Sequence, residues 1–146
     1  MVENTVEKYL IFTLEDKRYA LPSKIISEVA VLEKVFPLPL VPDYVRGIIN
    51  RYSVPYALID INFLLSGDQS KAGKVIVLKQ ELDKLALLID DVTDIADITP
   101  DKLIKTEVEE DAVSASVSAF FEWKGSPVFC LDTGELISRI KQDFEQ

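Results

Sequence analysis

The sequence predicts an all-β fold, and three observations carry that prediction. Short runs of β-branched and aromatic residues recur along the whole chain. Polar or glycine-containing corners separate them at near-regular intervals. Sustained helical spacing is confined to the end of the chain. About eight or nine short strands result, which reads as a barrel or a sandwich. No fixed-period repeat is visible and no Gly/Ser-rich or Pro-rich linker divides the chain. Its 146 residues therefore suit a single domain over residues 1–146, burying roughly two-thirds of its unfolded surface.

The elements follow in order. Residues 9–14 form a first strand, Glu15-Asp16-Lys17 a turn, and residues 18–21 a returning strand. Ser23 after Pro22 is placed to cap a short helix with Ile25, Ile26 and Val29 on one side. Pro37, Pro39 and Pro42 confine residues 35–41 to an extended edge or loop. Residues 45–51 and 54–60 are the arms of a hairpin across Tyr52-Ser53, with the Pro55 amide turned away from a ladder partner. Residues 66–73, with two glycines, are a loop. Residues 74–78 and 84–89 form a second hairpin, and residues 92–98 alternate as a half-exposed strand. Thr99-Pro100-Asp101 resembles a capped helix start lasting about one turn, before the acidic stretch 107–111. Residues 117–123 and 126–132 form a third hairpin across Lys124-Gly125. Leu136, Ile137, Ile140 and Phe144 then give a C-terminal amphipathic helix.

Composition narrows the function. A net charge of −9 disfavours nucleic acid and anionic membrane surfaces, both of which need a basic partner. No apolar run reaches the ~18 residues of a membrane span, and residues 1–8 are too polar for a signal peptide. Cys130 is the sole cysteine, so no internal disulfide forms and a reducing cytoplasm is the expected compartment. Histidine is absent, which removes histidine-based triads and the commonest metal ligand. Cys130 lies between Phe129 and Leu131 and reads as a buried, inert thiol. No phosphate-cradling glycine motif is present.

The acidic cluster Asp90-Asp91-Val92-Thr93-Asp94, with Asp97 beyond it, has the donor chemistry for Mg²⁺ or Ca²⁺. It lacks the glycine and terminal glutamate of an EF-hand loop, and reads first as a turn plus the solvent face of a strand. Neither metal nor cofactor is expected. Tyr44, Tyr52, Tyr56 and Trp123 are candidate anchors of a recognition surface. Trp123 reads first as a partly buried strand residue, whereas Tyr52 at a hairpin corner suits exposure as well as burial.

With the strands in place, the chain resembles the CheW family of chemotaxis coupling proteins from about Tyr9 to Ile140. Carrying the resemblance are Leu10-Ile11-Phe12-Thr13-Leu14, Ile26-Ser27-Glu28-Val29, and the run Val41-Pro42-Asp43-Tyr44-Val45-Arg46-Gly47-Ile48-Ile49-Asn50. Leu58-Ile59-Asp60, Val75-Ile76-Val77-Leu78, Ile89-Asp90-Asp91-Val92-Thr93-Asp94-Ile95 and Val128-Phe129-Cys130-Leu131-Asp132 continue it. Each piece is weak alone, and their order and spacing are specific.

The resemblance implies two small five-stranded β-barrels sharing one hydrophobic core, with short helices and a C-terminal helix. It implies a non-enzymatic scaffold that joins the regulatory domain of a CheA-type histidine kinase to the cytoplasmic tip of a chemoreceptor, and that self-associates in arrays. Ile26 and Glu28 fall where the family's first barrel meets its partners. Arg46 and Gly47 match a further contact, and Leu85, Leu87 and Ile89 match core positions of the second barrel. The chain departs from the family after Asn50, where leucine, arginine and glycine usually follow. Arg51, Tyr52 and Ser53 stand there instead, so a cation gives way to a neutral aromatic donor. That change bears on the receptor contact and leaves kinase binding open. Two other readings remain: a small acidic β-barrel module taking a metabolite or ion in an apolar seam between the barrels, and an enzyme using the aspartate cluster.

Overall fold

A computed structural model describes residues 5–71, 73–105 and 116–145. The acidic stretch 107–111 lies outside the described residues. Among the described residues, eleven strands and two α-helices follow one another: β1 (Glu7–Leu14), β2 (Lys17–Pro22), β3 (Ile26–Val31), β4 (Val45–Arg51), β5 (Val54–Asp60), α1 (Ile61–Ser66), β6 (Lys74–Leu78), β7 (Leu85–Ile89), β8 (Asp91–Ile98), β9 (Ile104–Lys105), β10 (Val117–Trp123), β11 (Ser126–Leu131) and α2 (Thr133–Phe144). They form a six-stranded sheet in the order β8-β1-β2-β11-β10-β9 and a five-stranded sheet in the order β3-β6-β7-β5-β4. The all-β architecture with a shared core and a terminal helix is the one the sequence predicts, with the two-residue β9 as an added sixth strand.

Each sheet curls, so that two apolar interiors and one shared layer form. In the six-stranded sheet, the Tyr9 and Phe121 rings meet at 5.7 Å although two strands separate β1 from β10. Lys124, in the β10–β11 turn, reaches Asp94 on edge strand β8 at 2.9 Å. Alternation then feeds two layers at once. On β1, Tyr9 and Ile11 enter the interior of their own sheet while Leu10, Phe12 and Leu14 enter the layer between the sheets. On β7, Leu85, Leu87 and Ile89 face that shared layer while Ala86 and Leu88 fill the interior of the five-stranded sheet. Strands buried on both faces need continuous apolar sequence, which explains why β6 and β7 read as unbroken hydrophobic runs.

Several expectations need correction. Ile25, Ile26 and Val29 do not share a helix. A single 3-10 turn, Ser23–Ile25, precedes strand β3, and no side chain caps it. Ser27 is an extra residue there, since Ile26 pairs with Leu78 but Glu28 pairs with Val77. A bulge breaks the two-residue period, and the broken spacing imitates a helix. Thr99 likewise makes no side-chain cap to the one-turn helix Pro100–Lys102. Helix α1 and strand β9 were not foreseen.

The barrels do not divide as the resemblance suggested either. Ile26 and Glu28 share the five-stranded sheet with Leu85, Leu87 and Ile89, because β1 and β2 leave to pair with β8 and β11. The apolar seam between barrels is not a ligand pocket, since Phe12, Leu21, Ile59, Leu78 and Leu87 occupy it.

Pro55 behaves as its residue type requires. The peptide groups of Ile48 bond to Phe36 rather than to β5, so Asn50, two residues on, also turns outward, and its partner Pro55 needs no donor toward β4. On the other side, the ladder to β7 begins only at Ala57. Cys130 is buried and free, and burial, aided by the charge of Glu7, pushes its thiol up to about 12. It is inert in the folded protein.

Leu87 is the clearest test of the shared layer. Leu87→Ala should cost about 2–5 kcal/mol, measured by urea unfolding, whereas a loss under about 1 kcal/mol would mean that the layer is loosely packed.

Candidate partner-binding surface

The site is built around the β4–β5 hairpin and the strand facing it. A buried carboxylate fixes the base of that hairpin. Asp60 has no solvent exposure, and its Oδ2 accepts from Arg46 Nη2 at 2.8 Å, Arg46 Nε at 3.1 Å and the Ser70 amide at 2.9 Å. Its Oδ1 accepts from the Phe63 amide at 3.1 Å, capping α1. Arg46 Nη2 also donates to the Ser70 carbonyl at 3.1 Å. A bulge gives Arg46 this aim, because Val45 pairs with Ile59 and Gly47 with Leu58, leaving Arg46 as the extra residue.

Gly47 follows with φ +138°, and a Cβ there would lie 2.2 Å from the Phe36 carbonyl oxygen. Only glycine lets the segment carrying Phe36 lie on β4, where Phe36 and Ile48 exchange backbone bonds of 2.8 and 2.7 Å. Arg46 and Gly47, read from sequence as contact residues, are thus employed in holding the chain together.

The remaining candidates meet at the other end of the hairpin. Edge strands β3 and β4 carry no ladder between them, yet Arg51 Nε donates to Glu28 Oε1 at 2.6 Å. Both side chains are about one quarter exposed, 27% and 25%. Segments 26–28 and 51–53, separate in sequence, are thereby brought together. The bulge at Ser27 turns Ile26 to the shared core and Glu28 to the sheet interior, so Ile26 is half-buried rather than a free edge residue. Next to it, Val29 and Val31 are exposed.

Tyr52 and Ser53 form the two-residue corner with φ 52° and 66°. Both are left-handed, as a hairpin of this kind demands and as Asn-Gly would supply without strain. Tyr52 is 86% exposed, and its ring lies 5.5 Å from the Arg51 guanidinium carbon.

The other aromatics separate. Tyr44 and Tyr56 are buried and offer no recognition surface. Tyr44 is a structural anchor instead: its hydroxyl donates to Asp143 Oδ2 at 2.6 Å, tying α2 to the start of β4. Burial, with that bond second, keeps its proton on well above the ordinary phenol range. Trp123 is half-buried at the end of β10, as expected of a strand residue.

The aspartate cluster is dispersed. Asp91 pairs with Lys74 at 2.7 Å, Asp94 with Lys124 at 2.9 Å and Asp97 with Lys8 at 2.9 Å, while Asp90 accepts from the Glu15 amide. Lys74 and Lys124 hold the Asp91 and Asp94 carboxyls below the usual range. Among the described residues, no three acidic or sulfur side chains converge as metal ligands. No helix among them is long and apolar enough to cross a membrane.

A family model described as a CheW-like domain matches residues 8–141. The chain belongs to the CheW-like family. Its fold is similar to the crystal structure of scaffolding protein TtCheW from Thermoanaerobacter tengcongensis, with a TM-score of 0.77 and 19% sequence identity, over 89% of this chain and 86% of that one. CheW-like domains are scaffolds and adaptors of chemotaxis signalling rather than enzymes, and this chain takes its place among them. The family pattern pointed to the two segments of the site. The Glu28–Arg51 bond that joins them had no signal in sequence, because the two residues lie on strands that do not pair.

Two measurements check the site's construction. Asp60→Asn removes a charge from a buried network and should cost about 3 kcal/mol, read from denaturant unfolding; a change below about 1 kcal/mol would mean that Arg46 is satisfied by water. Ser53→Gly relieves a left-handed serine and should stabilise by about 1 kcal/mol, seen as a rise in the unfolding midpoint. A fall would show that the serine hydroxyl contributes more than its backbone costs.

Proposed function

We propose that this chain is an adaptor that joins the regulatory domain of a CheA-type histidine kinase to the cytoplasmic tip of a chemoreceptor, working in the cytoplasm as one domain. The observation that carries the reading is the CheW-like match over residues 8–141, which spans both sheets and so includes the surface where Glu28 and Arg51 meet. On this reading Ile26, Glu28, Arg51, Tyr52 and Ser53 form the contact region, and Arg46 with Gly47 fixes the strand that carries it. Self-association of such domains in arrays belongs to the same reading.

The corner differs from the family's in a way that affects one partner more than the other. Tyrosine offers one hydroxyl and a flat apolar face where the family has a cation. A receptor that relies on that cation loses a charge-assisted bond, while the kinase contact does not depend on it.

The test pairs calorimetry against the kinase regulatory domain of the same genome with receptor pull-down. The native chain should bind the kinase and hold the receptor weakly. Tyr52→Arg combined with Ser53→Gly should raise receptor affinity about tenfold, the equivalent of one charge-assisted bond. Absence of kinase binding would end the adaptor reading. Full receptor coupling by the native chain, reduced by the double change, would show a corner adapted to its own receptor.

A further inference from the structure

The base of the β4–β5 hairpin borders a cavity that the partner contact does not use. Its volume is about 380 Å³, and it opens on the interior of the five-stranded sheet. Leu58 and Leu88 line it from the neighbouring strands β5 and β7 and are almost fully buried. Leu32, Val35 and Pro37 line it from the chain after β3, where Phe36 is fixed to Ile48 by two backbone bonds. Arg46 and Ser70 are its polar residues. Arg46 is itself held by Asp60 and the Ser70 carbonyl. A cavity with mostly apolar walls, few polar groups and a shape fixed in advance has the character of a small-molecule site.

The two polar residues determine what kind of molecule fits. Arg46 uses Nε and Nη2 on Asp60 and the Ser70 carbonyl, and among the described residues nothing accepts from its Nη1. Ser70 Oγ is buried and has no hydrogen-bond partner among them either. Both groups are donors, so a ligand has to bring an acceptor. A guanidinium by itself would call for an anion. Here the fully buried Asp60 lies 2.8 Å away on its other edge and balances its charge, in a chain whose net charge is −9. An anion would gain little attraction and would lose its hydration, whereas a carbonyl meets the same donors at a lower desolvation cost.

We propose that this cavity binds a small uncharged molecule made of an apolar chain and a carbonyl group, with the chain against Leu58 and Leu88 and the oxygen toward Arg46 Nη1 and Ser70 Oγ. The volume suits roughly ten non-hydrogen atoms, and for a ligand of that size a Kd of about 1 mM is expected. The site is independent of the adaptor reading, since none of the contact residues Ile26, Glu28, Arg51, Tyr52 and Ser53 lines it.

Hexyl methyl ketone is the probe, and heptanoate at neutral pH, of the same shape but charged, is the comparison. Titrations of the full chain are followed through its leucine methyl resonances. The ketone should shift the Leu58 and Leu88 methyls with a Kd of about 1 mM, and heptanoate should bind at least about tenfold more weakly. Val35→Phe, which fills the cavity from a half-buried position, should weaken the ketone at least about tenfold without lowering the urea midpoint. Ser70→Ala keeps the backbone bonds to Asp60 and Arg46 and should weaken it about fivefold. Unshifted methyls at about 5 mM ketone, or shifts that persist in Val35→Phe, would overturn the site. Heptanoate binding as tightly as the ketone would overturn the uncharged class, and an unchanged affinity in Ser70→Ala would overturn recognition by two donors.

Discussion

Asp60 is an ionised group with no access to water, placed where four parts of the chain converge. Such a group is tolerated only when every oxygen is engaged. Here the engagement is structural in the full sense: the guanidinium of Arg46 comes from β4, the Ser70 amide from the loop before β6, and the Phe63 amide from the first turn of α1. The Asp60 amide itself donates to the Tyr44 carbonyl at 2.7 Å. One carboxylate thus sets the bulge in β4, ends β5, starts α1 and returns the loop. The hairpin that presents Tyr52 stands on this base, and so does the Gly47 crossing that closes one end of the sheet.

The shared apolar layer is the second constraint, and it follows from the order of strands. Neither sheet is made from one contiguous half of the chain. β1 and β2 pair with β8 and β11, and β3 to β7 form a unit between them. A chain threaded this way cannot pull its two sheets apart without extracting Leu10, Phe12 and Leu21 from contact with Ile76, Leu78 and Leu87.

Most of the strands were legible in sequence because their apolar residues alternate or run continuously between turn-forming corners. β3 was not, since the bulge at Ser27 replaces alternation with a spacing that a helix would also give. α1 escaped for a related reason: Ile61, Asn62, Leu64 and Leu65 are all buried, so the helix shows no polar face, and its start depends on an Asp60 cap that sequence reads as the end of a strand. Tyr44 and Tyr56 looked like surface aromatics beside a hairpin, but one is needed to hold α2 and the other fills the interior of the five-stranded sheet. For the binding surface, the residues could be named and their arrangement could not. Arg51 and Glu28 sit on the two outermost strands of a sheet, and no local pattern records that a sheet curls until its edges touch.

The interlaced strand order governs how the protein emerges from the ribosome. By Ile89 every strand of the five-stranded sheet has been made, together with the β1–β2 hairpin. That hairpin can dock at once through Leu10, Phe12 and Leu14, but its opposite face, with Tyr9, Ile11 and Ala20, has nothing to cover it until β8, β10 and β11 follow. A nascent chain of this length carries a bare apolar face on a half-built sheet whose missing neighbours have still to be made. The parallel pairing of β2 with β11 joins segments more than a hundred residues apart and has to come last, and such long-range closure is slow. The fold thus imposes an interval during synthesis in which the nascent chain is at its most sticky, and chaperone attention belongs to that interval.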